Sequence, residues 1–140
     1  MSLDAIQERF IDEIKLRGYE DKYIDKNEER EILQIAIHQG LGIEVARGAL
    51  IEACSSLGYL LESALTKLIK DQFEAAGAAG IDQAAYGGVL AKLRTTAQGR
   101  RDDRELKKLI VHVIEDGGFK VKGGWPFNWY RAVKREISRA

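Results

Sequence analysis

The stretch Ile24-Asp25-Lys26-Asn27-Glu28-Glu29-Arg30-Glu31-Ile32-Leu33 decides how the 140-residue chain is read. An apolar residue precedes an aspartate, a glutamate follows three positions later, and an apolar run begins after that. The Asp25 carboxylate can accept from a free backbone N–H at a helix start, and Glu28 can reach back to the Asp25 backbone. Ile32, Leu33, Ile35, Ala36 and Ile37 then supply an apolar helix face, and Gly40 stops the run.

The same pattern extends in both directions. Upstream, Leu3, Ile6, Phe10 and Ile14 recur at helical spacing, and Gly18 ends that helix. Downstream, a third helix is predicted over 43–56 with Val45, Ala49, Leu50 and Ala53 inward, closed by Gly58. A fourth is predicted over 60–76 with Leu61, Leu65, Leu68, Ile69 and Phe73 inward, followed by a break at 75–80. Asp82 opens a fifth helix with Tyr86, Val89, Leu90 and Leu93. Its Gly87-Gly88 pair signals either close packing of a neighbour or an end to the helix, at about 1 kcal/mol per glycine relative to alanine.

Asp102 and Glu105 form a second candidate capping box ahead of Leu106, Leu109, Ile110, Val113 and Ile114, and Gly117-Gly118 stops that helix. Phe119-Lys120-Val121-Lys122 alternates apolar and basic, as a short extended piece would. Pro126 suits the first turn of a closing helix that carries Trp129, Tyr130, Val133 and Ile137. The expectation is an all-α, compact single-domain bundle of about seven helices over residues 1–140, with a distinct basic and aromatic segment at 118–140.

Composition agrees. Apolar residues make up 45% of the chain, enough for a continuous core, and charged residues 31%. No apolar run approaches the roughly 20 residues that span a bilayer. The opening residues resemble neither a signal nor a transit peptide, and Cys54 is the only cysteine, so a cytoplasmic setting is expected. Net charge is zero but uneven: residues 1–99 hold 11 Lys/Arg against 16 Asp/Glu, and residues 100–140 hold 11 against 6.

Ile24-Asp25 with Leu33 is echoed by Ile81-Asp82 with Leu90, 57 residues later. This suggests a two-fold internal pseudo-repeat built on an apolar residue packing just before an aspartate cap. The first copy, followed by Gly40-Leu41-Gly42-Ile43, resembles the bacterial TerB-like tellurite-resistance domain, and Gly80-Ile81-Asp82…Val89-Leu90 resembles a second, eroded copy. The resemblance spans about residues 20–95. It implies a compact helical bundle, a stress-response or interaction role, and an acidic metal-binding cluster. Asp25, Glu28 and Glu29 match that cluster. The second copy departs from it, with Ala85 in the place of the glutamate.

Read as an EF-hand, neither copy supplies the oxygen ligands that calcium needs, since Ala76, Ala78 and Ala85 occupy ligand positions in the second. The acidic turn at 20–29 therefore reads as helix capping, or as a loose divalent-cation site at Asp25, Glu28 and Glu29. Catalytic groupings are scarce. His38 and His112 are far apart in sequence, each beside an apolar helix face where a partly buried, hydrogen-bonded histidine is expected. Cys54 lies mid-helix without the cationic neighbours that activate a thiol. Ser55-Ser56 has no nearby base, and no glycine-rich phosphate loop is present. Neither an enzyme nor a cofactor is expected.

The remaining candidate is the end of the chain. Trp125, Phe127, Trp129, Tyr130, Arg131, Lys134 and Arg135 combine aromatic and basic groups in the manner of an interface anchor. The leading expectation is a non-enzymatic module that docks a protein partner through these residues. Alternatives are a nucleic-acid surface, an anionic membrane surface through 118–140, and a divalent-metal-responsive protein using the acidic turn.

Overall fold

The structure is a computed structural model that describes residues 3–123 and 128–139. The fold is all-α. Seven helices account for it among the described residues: α1 (Leu3–Arg17), α2 (Lys26–His38), α3 (Ile43–Leu57), α4 (Glu62–Ala76), α5 (Gln83–Ala97), α6 (Asp103–Gly117) and α7 (Trp129–Ser138). Two two-residue strands, β1 (Tyr23–Ile24) and β2 (Leu60–Leu61), form a minimal parallel sheet. No described helix is long and apolar enough to cross a membrane. The chain divides into two units, Met1–Ala64 and Leu65–Ala140.

In the first unit, Ile6, Phe10 and Ile14 form a fully buried stripe on α1. They join Ile24, Ile32, Leu33, Ala36 and the small face of α3 (Ala46, Ala49, Ala53) in one core. Alanines on α3 leave room for the large side chains of α1, the large-against-small interdigitation that fills a core without voids. Val45, expected inward, is 53% exposed, and Ala46 holds the inward position instead. α3 thus turns Ala46, Ala49, Leu50 and Ala53 inward and leaves Val45 outside the core.

The Asp25 cap is a complete capping box: Glu28 N–H donates to Asp25 Oδ1 at 2.8 Å, and Asp25 N–H donates to Glu28 Oε1 at 3.1 Å. Just before it, Tyr23 pairs with Leu60 and Ile24 with Leu61. Leu60-Leu61, expected as the start of the fourth helix, is therefore strand, because Leu60 N–H donates to Lys22 O at 2.8 Å and extends the backbone there. Gly18 is required by a close approach, since a Cβ there would lie 2.8 Å from the Tyr59 ring.

The second unit has its own core of Ile69, Phe73, Ile81, Leu90, Leu93, Leu106, Ile110 and Ile114. Phe73 and Phe119 meet edge to face at 5.9 Å. Asp82 caps α5 and Asp102 caps α6, each accepting from the backbone N–H three residues on. The expected extended piece pairs with the chain: Ile81 N–H donates to Lys120 O and Lys122 N–H to Ile81 O, both at 2.8 Å. Gly80 permits this, with φ +94° and a Cβ position only 3.3 Å from Lys120 O. An isoleucine in extended backbone pairing, followed at once by an aspartate cap, thus occurs once in each unit.

Gly87 and Gly88 lie in an unbroken α5 and are exposed, and a Cβ on either would meet nothing within 4 Å. Neither a helix break nor close packing accounts for them. Pro126 is outside the described residues. The described helix α7 starts at Trp129, and the Asn128 side chain caps it by accepting from Tyr130 and Arg131 N–H, both at 3.1 Å.

Candidate functional site

The acidic turn is occupied by its own backbone. Asp25 and Glu28 hold each other's N–H groups, and Glu29 Oε1 accepts from Ser63 Oγ at 2.9 Å. Partial burial raises the Glu28 carboxyl above its ordinary value, and the neighbouring charges of Asp25 and Asp21 push the same way. Among the described residues, no group of three or more His, Cys, Asp or Glu side chains is placed to hold a metal ion. Of the three residues expected to hold a metal, Asp25 and Glu28 serve as caps, and Glu29 is turned to a hydroxyl on α4.

The C-terminal candidates separate. Trp129 is 4% exposed, packs against Tyr86 in a tilted ring contact with centroids 5.2 Å apart, and donates from Nε1 to Lys122 O at 3.0 Å. It belongs to the core of the second unit and offers no surface to a partner. Tyr130 is half-buried, and its hydroxyl donates to Glu115 Oε1 at 2.9 Å. Lys134 Nζ reaches the same oxygen at 2.9 Å. Lys134 and Tyr130 together hold the Glu115 carboxyl below its usual range. Arg131 and Arg135 are exposed on successive turns of α7. Trp125 and Phe127 lie outside the described residues.

His38 and His112 are both exposed, not partly buried as expected. Cys54 is in the core of the first unit, where burial, helped by Glu29, pushes the thiol up to about 11. At neutral pH it is a protonated, apolar packing group.

Sequence reasoning missed a cleft between α2 and α3 in the first unit. Its volume is about 340 Å³, within the usual range for small-ligand pockets. Leu33, Ile37 and Ile43 supply the apolar lining; Lys26, Arg30 and Arg47 supply positive charge; Glu29, Gln34 and Ser63 complete it. Ile37, assigned to the core by periodicity, is 39% exposed at this cleft, as is Ile43. The signal was in the sequence: Ile32, Leu33, Ile35, Ala36 and Ile37 are too many apolar residues for one helix stripe. Arg47 and Ile51, one and two turns after Ile43, continue the row along α3, with Ile51 55% exposed.

The charge at this cleft runs against the composition of its unit. Met1–Ala64 holds seven Lys/Arg and thirteen Asp/Glu, yet three of the seven cations and one of the thirteen carboxylates line the cleft. None of Lys26, Arg30 and Arg47 enters a salt bridge among the described residues. The one lining carboxylate, Glu29, already accepts from Ser63. The arrangement combines an apolar wall with cations that enter no salt bridge among the described residues.

Comparison with known protein families, with curated proteins and with solved structures returned no match.

Proposed function

We propose that this chain is a non-enzymatic protein-interaction module that docks its partner on the α3 flank of the first unit. The observation that carries the proposal is the row Ile43, Arg47, Ile51, at i, i+4 and i+8 on α3. Its two isoleucines are 39% and 55% exposed on either side of an arginine that enters no salt bridge among the described residues. An exposed apolar row suits the apolar core of an interface, and arginine is among the residues enriched as interface anchors. The partner this row fits has an apolar contact patch with a carboxylate placed for Arg47. A cytoplasmic, bacterial, stress-response setting of the TerB-like kind belongs to the same proposal and rests on the Ile-Asp capping resemblance and on the lone, buried thiol of Cys54.

Affinity capture of the full chain, with nuclease present, tests the docking face. The Ile51→Glu variant places a like charge in the path of the expected carboxylate and should lose a stoichiometric partner that wild type retains. An unchanged captured set would overturn the assignment. A second reading, phosphate-backbone binding, is supported by Lys120, Lys122, Arg131 and Arg135, which are exposed and enter no salt bridge among the described residues. With Trp129 buried and Tyr130 held by Glu115, this reading relies on charge without ring stacking. It predicts binding to single-stranded DNA that falls steeply with salt; a flat salt response eliminates it.

A further inference from the structure

We infer that the α2–α3 cleft binds a small anionic amphiphile, a medium-chain carboxylate or a compound of the same chemistry. The cleft is polarised along its length. Its apolar end lies where Ile37 and Ile43 flank the turn between the two helices. Its cationic end runs back toward the α2 N-terminus through Arg47, Arg30 and Lys26. From Lys26 to Ile37 at 1.5 Å per residue the groove is about 16 Å long, and its volume of about 340 Å³ suits a narrow chain rather than a folded element.

A head group with negative charge would replace water on two guanidinium groups that have no ion-pair partner among the described residues, and guanidinium–carboxylate contacts are the stronger, charge-assisted kind. The tail would lie over the buried Leu33 and cover Ile37 and Ile43, removing from water the apolar surface that the fold leaves open. The alternative signs fit worse. A neutral amphiphile leaves three cations unmatched, and a cationic one meets them head on. Concentrating three of seven cations in one cleft of an acidic unit sets this site apart from a solvated charged face. The cleft shares Ile43 and Arg47 with the docking row but not Ile51, so Ile51→Glu can abolish docking while decanoate binding persists, and the two readings fail separately.

The test is titration of the full chain, with isoleucine δ1 methyls labelled, by decanoate, decanol and decyltrimethylammonium below their micelle concentrations. Decanoate should shift the Ile37 and Ile43 methyls saturably and bind about tenfold tighter than decanol, with decyltrimethylammonium weakest. The exposed double variant Arg30→Gln/Arg47→Gln should bring decanoate down to the decanol level while the remaining methyl spectrum shows an intact fold. Equal affinity for all three probes, shifts spread evenly to Ile69, Ile110 and Ile114, or no saturable shift would overturn the inference. Sedimentation with phosphatidylglycerol vesicles separates a free ligand from a bilayer. The protein should stay in the supernatant, and co-sedimentation abolished by the double variant would overturn the small-ligand assignment.

Discussion

Tyr86 carries the sharpest single-residue consequence of the fold. Its ring packs on Trp129, and its hydroxyl is buried with no hydrogen-bond partner among the described residues. Burial, reinforced by Glu136, pushes that hydroxyl up to about 12, so it stays protonated and neutral. An unsatisfied buried hydroxyl opposes folding, so deleting it while keeping the ring removes a penalty. Tyr86→Phe should leave stability unchanged or raise it by about 1 kcal/mol in urea unfolding. A loss of that size would mean that the hydroxyl has a partner in the folded protein.

Trp129 is the counterpart, a large side chain satisfied at both its face and its Nε1. Trp129→Ala should cost about 3–5 kcal/mol, the usual range for emptying a buried aromatic site. Its effect on any partner would then follow from unfolding. A variant of near-native stability would contradict the burial. The sequence could not separate these roles. Aromatic and basic residues in alternation have the same composition whether the rings close a core or face outward. Only the pairing of Val121 with Ile81 brings Lys122 O to the indole.

At the scale of the element, caps were the most legible feature. Asp25, Asp82 and Asp102 each accept the N–H three residues on, and each helix begins where its aspartate predicts. Capping is local chemistry, so it needs no knowledge of the tertiary fold. The short parallel pairings were less legible because their partners lie far apart in sequence: Ile24 with Leu61, and Ile81 with Val121.

The capping box also makes a pH prediction. The folded-state Glu28 carboxyl titrates above its ordinary value of 4.5. Its titration therefore favours the fold most at low pH, and that contribution is lost as pH rises through the raised value. Glutamine keeps the acceptor for the Asp25 N–H and removes the charge facing Asp25 and Asp21. Glu28→Gln should match or exceed wild type in melting temperature at pH 7, with the gap closing toward pH 4. A lower melting temperature at pH 7 would show that the charge itself stabilises the turn.

In α5, Gly87 and Gly88 fill exposed positions with open space around their missing Cβ atoms. Replacing both with alanine should raise unfolding free energy by about 1–2 kcal/mol. A loss instead would reveal a neighbour at that surface.

For the whole molecule, the helical class and the helix order were readable because apolar spacing and caps agree along the entire chain. The division into Met1–Ala64 and Leu65–Ala140 was not, since it falls within the first turn of α4, where no composition shift marks it. The cleft was hidden for a related reason. Lys26, Arg30 and Arg47 are scattered in sequence among the carboxylates of an acidic unit, and only the α2–α3 packing gathers them. The basic C-terminal segment drew attention because its charges are close together in sequence, yet Lys134 there is paired with Glu115, and Glu136 there with Lys107 of α6.

The central claim is that the binding face lies on α2 and α3 of the first unit. Hydrogen exchange of the full chain, alone and with its captured partner, tests it most directly. Added protection over residues 26–51, with none over 128–139, is the predicted result. Protection confined to 128–139 would contradict the account and return the binding role to the C-terminal helix.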